Sequence, residues 1–374
     1  MQSFTSTLLH WFADNARDLP WRHTRDPYAI WLSEIILQQT RILQGQAYWE
    51  RFMRRWPTVE QLAASTEDEV LREWQGLGYY SRARNLHTAA RQIVDMGHFP
   101  DTFDDIRRLK GVGDYTAAAI ASIAFGLPVA VVDGNVYRVL ARQFGIDTPI
   151  NTTEGKHLFA QLAQSLLPPA EPAAFNQAMM DFGAIQCTPQ SPRCLLCPLA
   201  ETCDALRTGR TETLPVKLKK TTVKTRRMTY IYIRCNGETA IRRRGKGDIW
   251  QGLWEPLLID DRTDDAKTSP SGAWGADSRT SPSPLGELEG GLALLTSPSP
   301  LVEPEGGLDW VDQCRLVKAN VKHVLTHRIL MADFYLLETT KKPALPAGFI
   351  WIPEADIVDY AVPRLVEILL NALP

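Results

Sequence analysis

The stretch that most constrains this chain runs from Leu109 to Asn135, LKGVGDYTAAAIASIAFGLPVAVVDGN. It opens on two glycines, Gly111 and Gly113, and continues from Thr116 as a strongly apolar helical run. Glycine accepts backbone angles and close approach that a β-carbon resists, so this reads as a tight turn opening a helix. Such a turn presents backbone N–H groups at a helix N-terminus. That makes an anion site, and in a chain with basic surfaces the expected anion is a DNA phosphate. The same stretch ends in an apolar run, Val129 to Val132, that delivers one carboxylate, Asp133, into a Gly134-Asn135 turn. A lone acid there caps a helix or stabilises a developing positive charge, and taken alone the cap is the commoner role.

A second carboxylate stands out in PYAIWLSEIILQQTR. Asp26-Pro27 predicts a helix start, and Ile30, Trp31, Ile35 and Leu37 crowd around Glu34. If Glu34 points among them, desolvation raises its pKa and keeps it protonated near neutral pH, which is how a general acid is made. Periodicity alone leaves open the alternative that Glu34 faces water between apolar neighbours. Ahead of it, FTSTLLHWFADNARDLPWR predicts an amphipathic helix with Leu8, Leu9 and Phe12 inward, ending near Pro20.

These segments together resemble a known family. LxGVGxxTA followed by Asp133 resembles the signature of the helix-hairpin-helix, Gly/Pro-rich loop and Asp superfamily of base-excision DNA glycosylases. PWR at Pro20 to Arg22, SEIILQQTR around Glu34, and GLGYYSRARNLH at Gly76 to His87 resemble the MutY-type adenine DNA glycosylases in the same order. The resemblance implies that Glu34 and Asp133 are catalytic, with Tyr115 holding Asp133 or the sugar. It implies that Trp21 and Arg22 line a base pocket and that Gln39 and Tyr79 wedge into the DNA stack. Gly111, Gly113 and Asn135 would complete the DNA contacts. In relatives that also cleave the strand, a Lys follows GVGx as Schiff-base nucleophile; here Tyr115 stands there, implying hydrolysis without strand scission. Tyr115 with Asp133 also occurs in thymine-mismatch glycosylases, a runner-up reading. Glu34 favours adenine, whose ring nitrogens accept a proton where thymine has no comparable base. A non-catalytic iron–sulfur DNA-binding protein is the remaining alternative.

Four of the six cysteines form Cys187-x6-Cys194-x2-Cys197-x5-Cys203. So close a set, in a chain read as cytosolic, argues for metal over disulfides, and zinc is the usual default for four thiolates. The uneven spacing resembles the [4Fe-4S] loop of the same glycosylase family, implying a structural cluster that folds a basic loop holding Arg193, Arg207 and Arg210. Cys235 and Cys314 read as ordinary small apolar residues.

Charge refines the picture. The formal net charge of −2 looks wrong for a DNA binder, but residues 260 to 309 carry ten acids and three bases, leaving 38 bases against 33 acids elsewhere. Residues 205 to 247 alone hold thirteen bases and two acids. At 374 residues the chain suggests two domains. Residues 1–205 would be a mainly α, two-lobed glycosylase domain with the cysteine loop at 187–203, and residues 206–227 a basic linker. Residues 228–374 would be a smaller α/β domain. There YIYIRC, DIWQGLWEP, HVLTHRILMADFYLLE and a terminal amphipathic helix resemble the Nudix-like C-terminal domain of the MutY family. The Glu-rich metal helix of Nudix hydrolases is missing after this point, implying a recognition module without nucleotide hydrolysis. The loop Leu325-Thr326-His327 stands where the family reads the lesion strand, so Thr326 and His327 are expected to distinguish 8-oxoguanine from guanine.

Residues 262 to 308 depart from the family. TSPSPLGELEGG at Thr280 and TSPSPLVEPEGG at Thr296 repeat with period 16, and with Trp274 as the one aromatic the segment predicts a disordered insertion. No signal peptide or membrane-spanning apolar run is visible. The expectation is a cytoplasmic bacterial-type monomer acting on double-stranded DNA that carries an A:8-oxoguanine or A:G mismatch.

Overall fold

The computed structural model describes residues 3–218, 223–260, 310–325 and 328–374, and the chain divides into two compact units, Met1–Lys220 and Thr221–Pro374. Thr326, His327 and the repeat segment 262–308 lie outside the described residues.

The first unit is helical. Its opening helix, Phe4–Asn15, is capped by Ser3 and ends well before Pro20. The reason is tertiary: the Arg17 N–H donates to the buried Asp181 carboxylate at 3.0 Å, and Pro20 then opens a separate 3-10 turn, Pro20–Arg22. The next helix, Pro27–Leu37, has Asp26 as N-cap and proline in its first turn, both favoured there. Every residue from Tyr28 to Ile36 is buried, so this helix is enclosed on all sides. The helix–turn–helix expected around Gly111 forms from Phe103–Arg108 and Asp114–Phe125. Gly111 has φ +79, and a β-carbon there would approach Asn85 to 2.7 Å, so backbone and space both require glycine.

Beyond this hairpin the chain runs extended, and Asn176 on the Pro172–Asp181 helix fastens it. Asn176 accepts from the Val131 N–H at 3.0 Å and donates to the Val129 carbonyl at 2.8 Å. Asp133 then starts the helix Gly134–Phe144, which packs its Val136, Val139 and Leu140 into a core shared with Phe159, Phe175 and Phe182. Residues 206–218, expected in the linker, are held on this unit. Leu214 is buried in the same core, and the Ile150 N–H donates to the Val216 carbonyl at 3.0 Å.

The second unit is a mixed seven-stranded sheet. Its strands are β1 Lys224–Cys235, β2 Glu238–Arg243, β3 Trp254–Glu255, β4 Leu257–Asp260, β5 Arg315–Val324, β6 Arg328–Thr339 and β7 Phe349–Pro353. β1 and β6 pair in parallel along their whole length, and the other ladders are antiparallel. Asn236 and Gly237 both have positive φ, the geometry a two-residue hairpin needs between β1 and β2. Ile231, Ile233, Tyr335 and Leu337 alternate onto one face with Leu257, while the terminal helix Arg364–Leu370 buries Leu365, Val366 and Leu369.

Candidate active site

A cavity of about 420 Å³ in the helical unit collects most of the residues singled out above: Trp21, Arg22, Glu34, Tyr115, Asp133 and Asn135 all line it. They come from four places in the chain, and each is held for a local reason. Glu34 sits on the enclosed helix and is only 8% exposed, which decides between its two orientations. Burial raises its pKa from 4.5 to about 7, against the opposing pull of a hydrogen bond from Tyr115. The Tyr115 hydroxyl donates to Glu34 Oε2 at 3.0 Å, and burial beside Glu34 and Asp133 keeps that hydroxyl protonated far above its ordinary range. Met180 Sδ lies 3.6 Å from the same hydroxyl.

Asp133 caps a helix and also lines the cavity. Its Oδ1 accepts from the backbone N–H groups of Asn135 at 2.9 Å and Val136 at 2.8 Å, capping the helix. Its Oδ2 accepts from the Asn135 side-chain amide at 2.8 Å, and the carboxylate still lines the cavity. Burial moves its pKa up, and the capping hydrogen bonds oppose that shift. Asn135 is oriented in turn by Arg138, which donates to its Oδ1 at 2.8 Å.

Arg22 reaches the cavity as one half of a fork. Its two Nη atoms donate to the Asp181 oxygens at 2.7 and 2.8 Å, and Arg17 pairs with the same carboxylate. Burial alone would raise the Asp181 pKa, but the Arg22 and Arg17 hydrogen bonds outweigh it and hold the group below its ordinary value. The ring of Trp21 is braced edge-on by Trp49, with centroids 5.8 Å apart. Asp181 and Gln177, a further cavity residue on the same helix, were not singled out from sequence. The only signal there is an amide and an acid four residues apart, hence on one helical face.

Gln39 and Tyr79 lie outside the cavity lining, on two loops, and both are exposed non-glycine residues with left-handed backbone, φ 56 and φ 48. A single buried side chain missed in the sequence, Arg82, holds both loops. Its Nη1 donates to the carbonyls of Ile35 at 3.1 Å, Ile36 at 3.0 Å and Gln38 at 2.5 Å, and its Nη2 to Gly78 at 3.2 Å. Those first carbonyls belong to the C-terminal turn of the Glu34 helix, whose last C=O groups have no helical partner. Gly111 and Gly113 stand apart from the cavity, in the turn that opens the Asp114–Phe125 helix.

Cys187, Cys194, Cys197 and Cys203 line one small separate cavity with Arg142. Arg142 donates to Cys187 Sγ at 3.4 Å and to the Thr188 carbonyl at 2.7 Å. Among the described residues no group of three or more His, Cys, Asp or Glu is placed as a metal-ion site. No disulfide joins them.

Residues 32–168 match the family model described as HhH-GPD superfamily base excision DNA repair protein, and residues 229–372 match the NUDIX domain model. The adenine DNA glycosylase of Buchnera aphidicola subsp. Schizaphis graminum (strain Sg) is 33% identical over 254 residues, covering 67% of this chain and 73% of that protein. The chain belongs to the adenine DNA glycosylase family. Mammalian members of the adenine DNA glycosylase family are more similar over less of their length. The Mus musculus protein is 44% identical over 227 residues, 57% of this chain and 44% of its own, and the Homo sapiens protein 46% over 215 residues, 54% and 39%. The chain thus spans less than half the length of these two relatives. A solved thermostable thymine-DNA glycosylase superposes with a TM-score of 0.52 at 34% identity, covering 55% of this chain and 95% of that one. The chain thus carries a match to the HhH-GPD family model followed by a match to the NUDIX domain model.

Proposed function

We propose that this chain is a monofunctional adenine DNA glycosylase, hydrolysing the N-glycosidic bond of adenine mispaired with 8-oxoguanine or guanine in double-stranded DNA. The observation that carries the reading is Glu34, a buried acid brought to about 7, sharing one cavity with the helix-capping carboxylate of Asp133. An extruded adenine would enter this cavity against Trp21 and meet Gln177, whose amide can both donate to and accept from a purine edge. Tyr115 occupies Glu34 Oε2, so the transferable proton sits on Oε1 and is delivered to an adenine ring nitrogen. As the glycosidic bond lengthens, positive charge grows on the sugar, and the fixed Asp133 carboxylate stabilises it without reorganising. Arg22 is tied to Asp181 and shapes the pocket wall. Tyr115 stands where an amine nucleophile would be needed for strand cleavage, so the bond is hydrolysed without strand scission, by direct attack of water or through a transient Asp133 adduct that water then releases.

The Cys187, Cys194, Cys197 and Cys203 thiols fit a [4Fe-4S] cluster, because four free cysteines line one cavity. Bound there, the cluster would cross-link the 187–203 loop to itself, and the hydrogen bond from Arg142 to Cys187 Sγ would tie that loop to the Gly134–Phe144 helix.

The test is single-turnover excision on an A:8-oxoguanine duplex beside a G:T duplex. Adenine release with G:T left intact is the expected result. The G:T arm matters because of the 34% identity to a thymine-DNA glycosylase, and preferential thymine release would replace the adenine reading.

A further inference from the structure

Among the described residues three arginines line the cavity that holds Glu34 and Asp133, and they are not equivalent. Arg17 and Arg22 both bind the buried Asp181 carboxylate, Arg17 through its Nε at 2.7 Å and Arg22 through both Nη atoms. Their donors are aimed into the cavity wall. The third, Arg41, is exposed, and among the described residues its guanidinium has no hydrogen-bond or ion-pair partner. The proposed chemistry gives it no role.

The Arg41 backbone, by contrast, is held on both sides. Arg41 is the N-cap residue of the helix Ile42–Arg55, its carbonyl accepting from the Gly45 N–H at 2.8 Å while its side chain makes no cap bond. On that helix the Trp49 indole N–H donates to the Ala29 carbonyl at 2.9 Å, and a β-carbon at Gly45 would meet Leu37 at 2.6 Å. The helix therefore lies tight against the one that carries Glu34. On the preceding side, Gln38 donates to Thr116 Oγ1 at 3.1 Å and its carbonyl accepts from Arg82. A fixed backbone beside the buried acid thus carries a side chain that is free in solvent.

Position along the chain says what that side chain meets. Gln39, two residues earlier, is exposed and outside the cavity lining, whereas Thr40, Arg41 and Ile42 line it. Arg41 therefore stands at the rim, between the outer loop and the cavity wall. A nucleotide turned out of a duplex puts its base in the pocket, but its phosphodiesters stay joined to the strand and remain at the entrance. We propose that Arg41 holds a phosphate flanking the extruded nucleotide and so sets how the base is presented to Glu34. This rests on the function proposed above. A guanidinium matches phosphate oxygens through two parallel N–H donors, which fixes orientation as well as charge. Arg41 is in this way a substrate-positioning residue, and its contribution is alignment rather than proton transfer.

The test is a cycle on the full chain between one side chain and one substrate group. The substrate is the A:8-oxoguanine duplex with one or the other phosphate beside the adenine replaced by an uncharged methylphosphonate, and the readout is single-turnover excision at subsaturating protein. At one of the two positions the parent protein should lose about tenfold, the size of one charge-assisted contact. Arg41→Gln should lose about tenfold on the unmodified duplex and nothing further on that methylphosphonate duplex. Arg41→Lys, which keeps the charge without the fork, should recover part of the loss. Losses that multiply at both positions, or Arg41→Gln excising at the parent rate, overturn the proposal. If the parent releases thymine from G:T instead, the same cycle is run on that base. Failure of the proposed function shows separately, as a parent that releases neither base from unmodified DNA, and it removes the extruded nucleotide on which the Arg41 contact depends.

Discussion

At the scale of single residues, the site works through a contest between burial and hydrogen bonding. Burial brings Glu34 to about 7 and the Tyr115 hydrogen bond pulls the other way. Excision should therefore fall as pH rises through about 7, as the acid loses its proton. Tyr115→Phe removes the opposing pull, so that limb should move to higher pH in a single-turnover rate profile. Stability carries the same signature. A carboxyl whose folded pKa lies above its unfolded value favours the fold most below the unfolded value, and that contribution is lost as pH rises through the folded one. Glu34→Gln should flatten the decline in denaturation midpoint between about pH 4.5 and 7. The same change, or Asp133→Asn, should reduce excision at least about 100-fold with mismatch binding largely kept. Near-normal turnover in either variant would remove that residue from the mechanism. Borohydride should trap no covalent enzyme–DNA complex with the parent protein.

At the scale of elements, Arg82 connects the Glu34 helix to the loops that carry Gln39 and Tyr79. One guanidinium satisfies the carbonyl end of the Glu34 helix and the Gly78 carbonyl, and so fixes the spacing of Gln39 and Tyr79. Lysine keeps the charge but lacks the fork, and each buried carbonyl left unpaired costs about 1–3 kcal/mol. Arg82→Lys is expected to slow excision from duplex DNA about tenfold or more, with the pH profile unmoved because Glu34 and Tyr115 are untouched. A shift of the profile would show that Arg82 acts on the acid itself. The cysteine loop makes a separate prediction. Protein purified without oxygen should carry about four irons and four sulfides per chain, and Cys197→Ser should lower both together with the melting temperature. One zinc per chain and no sulfide would replace the cluster.

At the scale of the whole molecule, the described chain on either side of residues 262–308 packs into one core of the sheet. Leu257, at the start of β4, packs in one cluster with Trp310 and Cys314, so chain on both sides of residues 262–308 is anchored in the same core. Deleting residues 262–308 should leave mismatch affinity and excision rate within a few-fold. A large loss of either, measured on the same duplex, would give the acidic segment a role.

The sequence by itself determined what is local. Asp26-Pro27 sets a helix start, Gly111 is the residue that the left-handed turn accepts, Asn236-Gly237 makes a hairpin, and Asp133 caps the helix behind it. Each depends on a few neighbouring dihedrals and donors, and short motifs encode those directly. Tertiary structure decided whether Glu34 faced water, because apolar residues surround it in sequence whichever way it turns. It ended the first helix at Asn15, where the pull on Arg17 comes from Asp181, far along the chain. It also recruited Arg82, Asn176 and Gln177, polar residues that look like ordinary helix surface until distant carbonyls, backbone N–H groups or a cavity are brought to them. Hydrogen bonds between residues far apart in sequence leave no periodic trace, because their partners are chosen by packing rather than by spacing.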